Sequence, residues 1–158
     1  MYKRQLLIQA LTHKSFDTKN NYEKLEFLGD RVLGFVISKK LLELYPNEKV
    51  GMIDKKLANL VNKNKCFEIG KELELDNYIL TGNTEKKKKV NIEKKIISDC
   101  CESLIGAIYI DKGFEVSSKF ILNYWKKYLN LSDITVIDSK TRLQEYSLKK
   151  FKALPIYK

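Results

Sequence analysis

The stretch NYEKLEFLGDRVLGFVISKKLL, residues 21–42, predicts a long helix whose side chains are mostly apolar. Such a composition is typical of a helix that lies inside a protein. Three carboxylates nevertheless stand in its first turns, on Glu23, Glu26 and Asp30. Because an unpaired buried carboxylate is costly, their retention indicates that these acids have a function.

A second apolar helix near the other end of the chain repeats this pattern. In IISDCCESLIGAIYI, residues 96–110, the only charged residues are Asp99 and Glu102. They are three positions apart and therefore share one face of the helix. Glu26 and Asp30 are four apart and share a face of the first helix in the same way. Each helix thus presents a pair of acids on one face.

Packing of these two helices would bring four carboxylates together, and the small residues Gly29 and Gly106 permit a close approach. Converging carboxylates raise one another's pKa values unless a divalent cation neutralises them. Ligands that are all oxygen suit magnesium or manganese rather than zinc. Such a set is typical of two-metal phosphodiester hydrolysis, with ions ~3.5–4 Å apart. The alternative is that the acids pair with lysines or cap neighbouring helices.

Composition narrows the class of protein. The 158 residues suit one compact domain plus a short additional segment. A net charge of +10 indicates a polyanionic partner, either nucleic acid or an anionic membrane surface. No segment approaches the ~18–20 uncharged residues of a membrane span. Cys66, Cys100 and Cys101 form neither a disulfide framework nor a zinc spacing, so we expect a reducing, cytoplasmic location.

Hydrophobic spacing predicts an almost entirely helical chain. Residues 52–75 are interpreted as two short helices, and the second acidic helix is predicted to stop at Gly113. Residues 76–91 form the longest polar connection. The remaining predicted helices cover residues 4–14, 114–129 and 140–151.

The acidic segments resemble a known family. EKLEFLGDR, residues 23–31, is similar to the signature of the ribonuclease III family. ALTHKSF, residues 10–16, resembles the segment before that signature, and residues 97–113 resemble the second acidic motif of the family, Asp-x-x-Glu followed by an apolar run. The resemblance covers nearly the whole chain.

This resemblance implies an all-α catalytic domain in a homodimer that cleaves double-stranded RNA with Mg²⁺, for which Mn²⁺ can substitute. The products would carry 5′-phosphate and 3′-hydroxyl ends, and the substrates would include ribosomal and messenger RNA precursors. Carried over by position, Asp30 and Glu102 would be the catalytic carboxylates. Glu26, Asp99 and Glu102 would hold the metal, and Glu23 would be a secondary acid of the same valley.

Two further positions follow from the same resemblance, and two more follow from a run of lysines. Phe27 matches an aromatic residue of the dimer interface that inserts into the partner, the alternative being an ordinary core aromatic. Val50 stands where many members have an acid before the glycine of a turn, and we expect this departure to cost little. Lys87 and Lys88 precede the second acidic helix, where they would contact RNA phosphates or simply form a solvated loop.

The C-terminal segment KTRLQEYSLKKFKALPIYK, residues 140–158, resembles the first helix and first strand of a double-stranded-RNA-binding domain. Its contacts with the RNA minor groove would come from Thr141, Gln144 and Glu145. We therefore expect a catalytic domain over 1–131, a linker over 132–139 and a truncated α+β domain after it.

The N-terminal residues 1–5, MYKRQ, match the translation of a common sequencing adapter, and the short helix that the family usually has before LLIQALTH, residues 6–13, is missing. We hypothesise that these five residues are an artefact and that 6–158 is a gene fragment.

Two alternatives for function stay open. One is a non-catalytic double-stranded-RNA-binding protein on the same fold, and the other is a compact ribonuclease III without an RNA-binding domain.

Overall fold

The computed structural model of the chain describes residues 2–82, 93–131 and 139–155, and all of its regular elements are helices. The prediction of an all-α fold is confirmed for these residues. The helices are α1 (Tyr2–Ala10), α2 (Glu23–Leu44), α3 (Val50–Leu60), α4 (Lys63–Glu72), α5 (Lys94–Leu131) and α6 (Ser139–Phe151), with a 3₁₀ turn at Leu75–Asn77.

Helices α2, α4 and α5 enclose the hydrophobic core. Leu33, Ile37 and Leu41 of α2 are fully buried against apolar side chains of α5, among them Ile105 and Ile121. Burying an aliphatic side chain of this size stabilises the fold by ~1.5–3 kcal/mol. The longest two helices therefore form the main packing contact, and they are also the two that carry the acids.

Trp125 of α5 connects the end of α3 to this core. Its ring is fully buried, and its indole Nε1 donates a hydrogen bond of 2.8 Å to the carbonyl oxygen of Leu60 at the end of α3. A buried indole usually needs such a partner. The contact joins two segments that are far apart in sequence and sets where the α3–α4 turn lies.

The two short helices predicted for residues 52–75 are present as α3 and α4. The side chain of Asn62 caps the second of them by accepting a hydrogen bond of 3.1 Å from the backbone N–H of Lys65. This cap satisfies a donor that would otherwise have no partner in the first turn. It also gives Lys63, the first residue of α4, a defined position.

Gly113 interrupts α5, as its sequence position predicts, but the chain continues as helix on both sides. Its φ of 77° and ψ of −175° break the helical geometry. Glycine adopts such a positive φ without the clash that a Cβ would cause. The second acidic helix and the following amphipathic helix are thus two halves of one kinked element.

The prediction that α2 lies inside the protein is confirmed for only one side of the helix. Phe27 and Phe35 are exposed on one side of the helix, while Val32, Leu33 and Val36 are buried on the other. The reason is geometric, since α5 covers only the side of α2 that faces the core.

The C-terminal segment forms helix α6, as predicted. Residues 152–155 are in no strand, and residues 156–158 lie outside the described part of the chain, as does most of the expected linker. Among the residues that the structure describes, no helix combines the length and apolarity that crossing a membrane requires.

Candidate metal centre

Two glycines determine how closely α2 and α5 approach each other. A Cβ on Gly29 would lie 1.7 Å from the carbonyl oxygen of Glu102, and one on Gly106 would lie 2.2 Å from the carbonyl oxygen of Leu25. Non-bonded carbon and oxygen atoms cannot come so close. The two backbones are therefore in contact at this point, and the acids that flank the glycines on each helix are brought together.

Three of the predicted carboxylates converge across this contact. Glu26, Asp99 and Glu102 each offer one carboxylate oxygen, and these three oxygens lie within 4.8 Å of one another. Asp99 and Glu102 are buried, and Glu26 is partly buried. Hard oxygen ligands in this number suit a magnesium-type or manganese-type ion, so the residues present fit the predicted metal.

A lysine that the sequence analysis did not single out lies among these acids. The Nζ atom of Lys63 is 2.7 Å from Asp99 Oδ1, 2.7 Å from Glu102 Oε2 and 3.0 Å from Glu26 Oε1. Although burial opposes it, hydrogen bonding to all three carboxylates raises the pKa of Lys63 well above its ordinary value. The alternative that the acids pair with a lysine is therefore realised, at the same three carboxylates that a metal would use.

The carboxylates of Glu26 and Glu102 have raised pKa values even with Lys63 beside them. Burial raises the pKa of Glu26 and of Glu102, and the hydrogen bonds from Lys63 only oppose that rise. The charge of Asp99 adds to the increase at Glu26, and the charge of Asp30 adds to it at Glu102. The single ammonium of Lys63 does not neutralise three carboxylates, and a divalent cation would add more positive charge.

Asp30 stands apart from the three converging acids. It is half-buried, and its carboxylate pairs with the guanidinium of the next residue, Arg31. Its charge is among the smaller influences that raise the pKa of Glu102. The structure therefore brings together three of the four predicted carboxylates and leaves the fourth at the margin.

Tyr22 orients the buried carboxylate of Asp99. The Tyr22 hydroxyl donates a hydrogen bond of 3.4 Å to Asp99 Oδ2, the oxygen that Lys63 does not contact at close range. Burial first, and the charge of Asp99 next, raise the pKa of this tyrosine. The phenol therefore stays protonated and remains a donor. Its role was missed because nothing in the sequence links it to a residue so far along the chain.

Glu23 lies beside the cluster rather than in it. Its exposed carboxylate is 3.3 Å from the Nζ atom of Lys14. A cavity of about 180 Å³ opens next to Glu26 and Asp99, and Glu23 and Tyr22 contribute to its wall. This location is compatible with the predicted secondary acid of the same valley.

Phe27 is not a core aromatic in this chain, because 65% of its surface is exposed. The guanidinium of Arg31 lies over its ring at 5.2 Å from the centroid. Phe35, also exposed, packs edge-on against Phe114 of α5 with ring centroids 5.6 Å apart. The outer side of α2 thus carries exposed aromatic rings at two positions.

The predicted RNA-contact residues are described only in part. Lys87 and Lys88 lie outside the described residues, and so do the side chains of Thr141 and Glu145. Gln144 is partly buried on α6. Val50 begins α3 and is exposed. Most of the predicted RNA contacts therefore have no described side chain, whereas the predicted acids and Phe27 do.

Comparison with known proteins identifies the family of this fold and site. Residues 3–129 match the family described as Ribonuclease-III-like. The chain is 63% identical to Ribonuclease 3 of Pelagibacter ubique over 98% of its length and 69% of that protein. It is 41% identical to Ribonuclease 3 of Agrobacterium fabrum, over 96% of this chain and 64% of that relative. The chain thus spans about two thirds of the length of such relatives.

Solved structures agree with this comparison. The nuclease domain of ribonuclease III from Campylobacter jejuni superposes with a TM-score of 0.75 at 36% sequence identity, over 82% of this chain and 91% of that one. That nuclease domain shows structural flexibility in a region involved in dimer formation. Dicer from Pichia stipitis, at 18% identity and a TM-score of 0.64, shares the fold.

Proposed function

Because this chain belongs to the ribonuclease III family of nucleases, we propose that it hydrolyses phosphodiester bonds of double-stranded RNA in a reaction that requires a divalent cation. The single observation that carries the proposal is the convergence of Glu26, Asp99 and Glu102 across the contact of α2 and α5. Such a cluster, buried by two helices that otherwise pack apolar side chains, supports a binding role over a merely structural one.

The acids have two proposed roles, holding the cation and acting on the reaction, and Glu102 has both. Glu26, Asp99 and Glu102 would hold Mg²⁺ or Mn²⁺, with Tyr22 keeping the Asp99 carboxylate oriented. When bound, the ion lowers the pKa of a coordinated water and offsets the charge of the phosphate. Asp30 and Glu102 are the proposed catalytic carboxylates. Hydrolysis would leave a 5′-phosphate and a 3′-hydroxyl.

Charge and symmetry support a duplex substrate. The net charge of +10 favours a phosphate backbone as partner, and recognition would rest on A-form shape rather than on base sequence. We propose a homodimer in which Phe27 of each subunit contacts the partner, because that ring is exposed on the outer side of α2. A two-fold dimer would present one site to each strand of the duplex.

The cellular role that fits this activity is processing of ribosomal and messenger RNA precursors in the cytoplasm. Base-paired regions of those precursors would have the A-form shape that the proposed recognition requires. Lys87 and Lys88, and on α6 Thr141, Gln144 and Glu145, are proposed as additional RNA contacts.

Cleavage of a labelled RNA duplex tests the proposed function. The chain is incubated with the duplex in excess chelator, and then with Mg²⁺, Mn²⁺ or Ca²⁺ added above the chelator concentration. We expect cleavage with Mg²⁺ and Mn²⁺ and little with Ca²⁺, whose larger and looser ligand shell positions a water poorly. A single strand of the same sequence is the control substrate and should resist cleavage.

Two results would contradict the proposal. Full activity in excess chelator would refute a metal-dependent reaction. Tight binding of the duplex without cleavage under any of the metal conditions would favour the non-catalytic RNA-binding alternative.

A further inference from the structure

We propose that Lys63 is a positioning residue whose ammonium group occupies the cation position among Glu26, Asp99 and Glu102 until a divalent ion displaces it. This inference rests on the metal-binding part of the proposed function. It adds a residue outside the acidic motifs and assigns it a role in metal loading.

The contacts of Lys63 carry the inference. Its Nζ atom lies 2.7–3.0 Å from one oxygen of each of the three acids, and these are the three residues whose oxygens cluster tightly enough to hold an ion. An ammonium has three N–H donors, so each carboxylate receives one hydrogen bond. Lys95 also approaches Asp99, but only at 4.0 Å. Lysine and metal would therefore compete for the same three carboxylates.

The local structure of α4 does not by itself favour a lysine at this position. Lys63 is the first residue of α4, and the first turn of that helix contains no acidic residue. The N-terminal end of a helix carries partial positive charge, so a cation there is unfavourable in isolation. The attraction of the three carboxylates must outweigh that cost, which means that the contacts in the acidic site determine where the side chain points.

The backbone of Lys63 is fixed in position, whereas its ammonium group can move out to solvent. The Asn62 cap and the buried side chains of Cys66 and Ile69 fasten the start of α4 to the core. The Lys63 side chain is nevertheless 51% exposed, whereas those of Asp99 and Glu102 are 3% exposed. The ammonium therefore enters the site from the solvent side. Rotation of its stem returns the charge to water without opening the core.

Removing the lysine has two opposite consequences. The metal-free site loses its neutralising cation, so the three acids repel one another and the folded state weakens. The metal no longer has to displace a competitor, so its affinity rises. A lysine that only supported the fold would give the first effect without the second, and the pair of effects is therefore specific to competition.

Binding of Mn²⁺ to the full chain tests the proposal, with free Mn²⁺ measured by electron paramagnetic resonance. The proteins are the wild type, Lys63→Met, Lys63→Gln, Lys63→Arg and the matched control Lys65→Met. Lys65 is on the same turn of α4 but pairs with Glu68, 3.0 Å away. Thermal unfolding of each protein in excess chelator is the second measurement.

We expect Lys63→Met and Lys63→Gln to bind Mn²⁺ about tenfold more tightly than the wild type, which corresponds to about 1.4 kcal/mol of binding free energy. Both should melt at a lower temperature in chelator. Lys63→Arg, which retains the charge, should return the affinity towards the wild-type value, and Lys65→Met should change neither quantity.

Equal Mn²⁺ affinity in the wild type and in the uncharged Lys63 variants would overturn the proposal and leave the metal centre intact. Weaker affinity in those variants would also overturn it, because Lys63 would then assist the metal. Absence of Mn²⁺ binding in every protein would contradict the metal centre itself, and this inference with it. Two uncharged variants are included so that poor folding of one still leaves a decisive measurement.

Discussion

Helices α2 and α6 are built from similar residues but have different surroundings. Both combine apolar side chains with lysines and acids. In α2, Leu25, Leu33 and Ile37 are buried. In α6 the large apolar residues that the structure describes are exposed, namely Leu143, Tyr146, Leu148 and Phe151.

Apolar content alone does not account for that difference, because α6 also has a hydrophobic side. The α2 helix has a partner shaped to receive it, since Gly29 and Gly106 let the backbones of α2 and α5 touch. Among the described residues, α6 contributes none to the hydrophobic core. A short helix without tertiary packing is marginally stable in water. The difference indicates that an apolar helix contributes to the acidic site when its shape matches that of a partner helix.

Gly29→Ala should have the largest effect on this contrast. The new methyl group would overlap the carbonyl oxygen of Glu102, so α2 and α5 must separate. We expect a loss of at least about 3 kcal/mol in the free energy of unfolding, or failure to fold. Urea denaturation followed through the buried Trp125 measures it.

Gly34→Ala is the matched control in the same helix, because its Cβ would meet nothing within 4 Å. Alanine in a helix interior is favoured over glycine by ~0.5–1 kcal/mol, so this variant should be as stable as the wild type or more so. Equal loss in the two variants would show that the close approach at Gly29 has no special importance.

Glu102→Gln tests whether the acids at the contact of α2 and α5 are required for RNA cleavage. The change keeps the side-chain shape and removes one charge from the proposed metal shell. Cleavage of duplex RNA should fall at least about a thousandfold while duplex binding is retained, as for a group that acts mainly at the transition state. Glu68→Gln on the exposed side of α4 is the control and should cleave normally. A Glu102→Gln variant that cleaves nearly as well as the wild type would exclude Glu102 from catalysis.

Phe27→Ala addresses the outer side of α2. Because the ring is exposed in the protomer, its loss should leave the fold intact and weaken only the proposed dimer. We expect the dimer dissociation constant to rise about tenfold or more, as for an aromatic anchor at an interface. Sedimentation equilibrium measures it, with Tyr78→Ala, another exposed aromatic position, as control. An unchanged dissociation constant would mean that Phe27 is not in the interface.

The stability of the metal-free protein should depend on pH through Glu102. Burial raises the pKa of this carboxyl above its ordinary value of 4.5. Between pH 4.5 and the raised pKa of the folded state, the folded chain binds more protons than the unfolded chain. The free energy of unfolding therefore decreases as pH rises through this range. Glu102→Gln should lack this contribution. Urea unfolding of both proteins in chelator across that range should give diverging curves, and parallel curves would contradict the raised pKa.

Deletion of residues 132–158 should have the smallest effect. Since α6 exposes its apolar side chains and adds nothing to the described core, RNA binding should rest on the catalytic domain. Duplex affinity at two salt concentrations should change less than about tenfold and keep its strong salt dependence. A larger loss would show that this segment binds RNA.

Local spacing was sufficient to predict much of this molecule. The i, i+3 pair Asp99 and Glu102, the apolar runs around it and the two glycines predicted that α2 and α5 pack and bring acids together. These features could be read because helical periodicity relates neighbours three or four residues apart. The same rule placed Asp30 with Glu26 on one face, but in the structure Asp30 pairs with Arg31 and is not one of the three clustered acids.

The sequence by itself determined the helices, the chemistry of the acids and the family. Only the tertiary structure decided which cation those acids meet. Lys63 is 36 positions from Asp99, and nothing in the segment NKNKC distinguishes it from Lys65. The side on which α5 covers α2 likewise decided that Phe27 is exposed. The physical reason is the same in both cases, because contacts between distant segments depend on how helices pack, and local periodicity does not encode that arrangement.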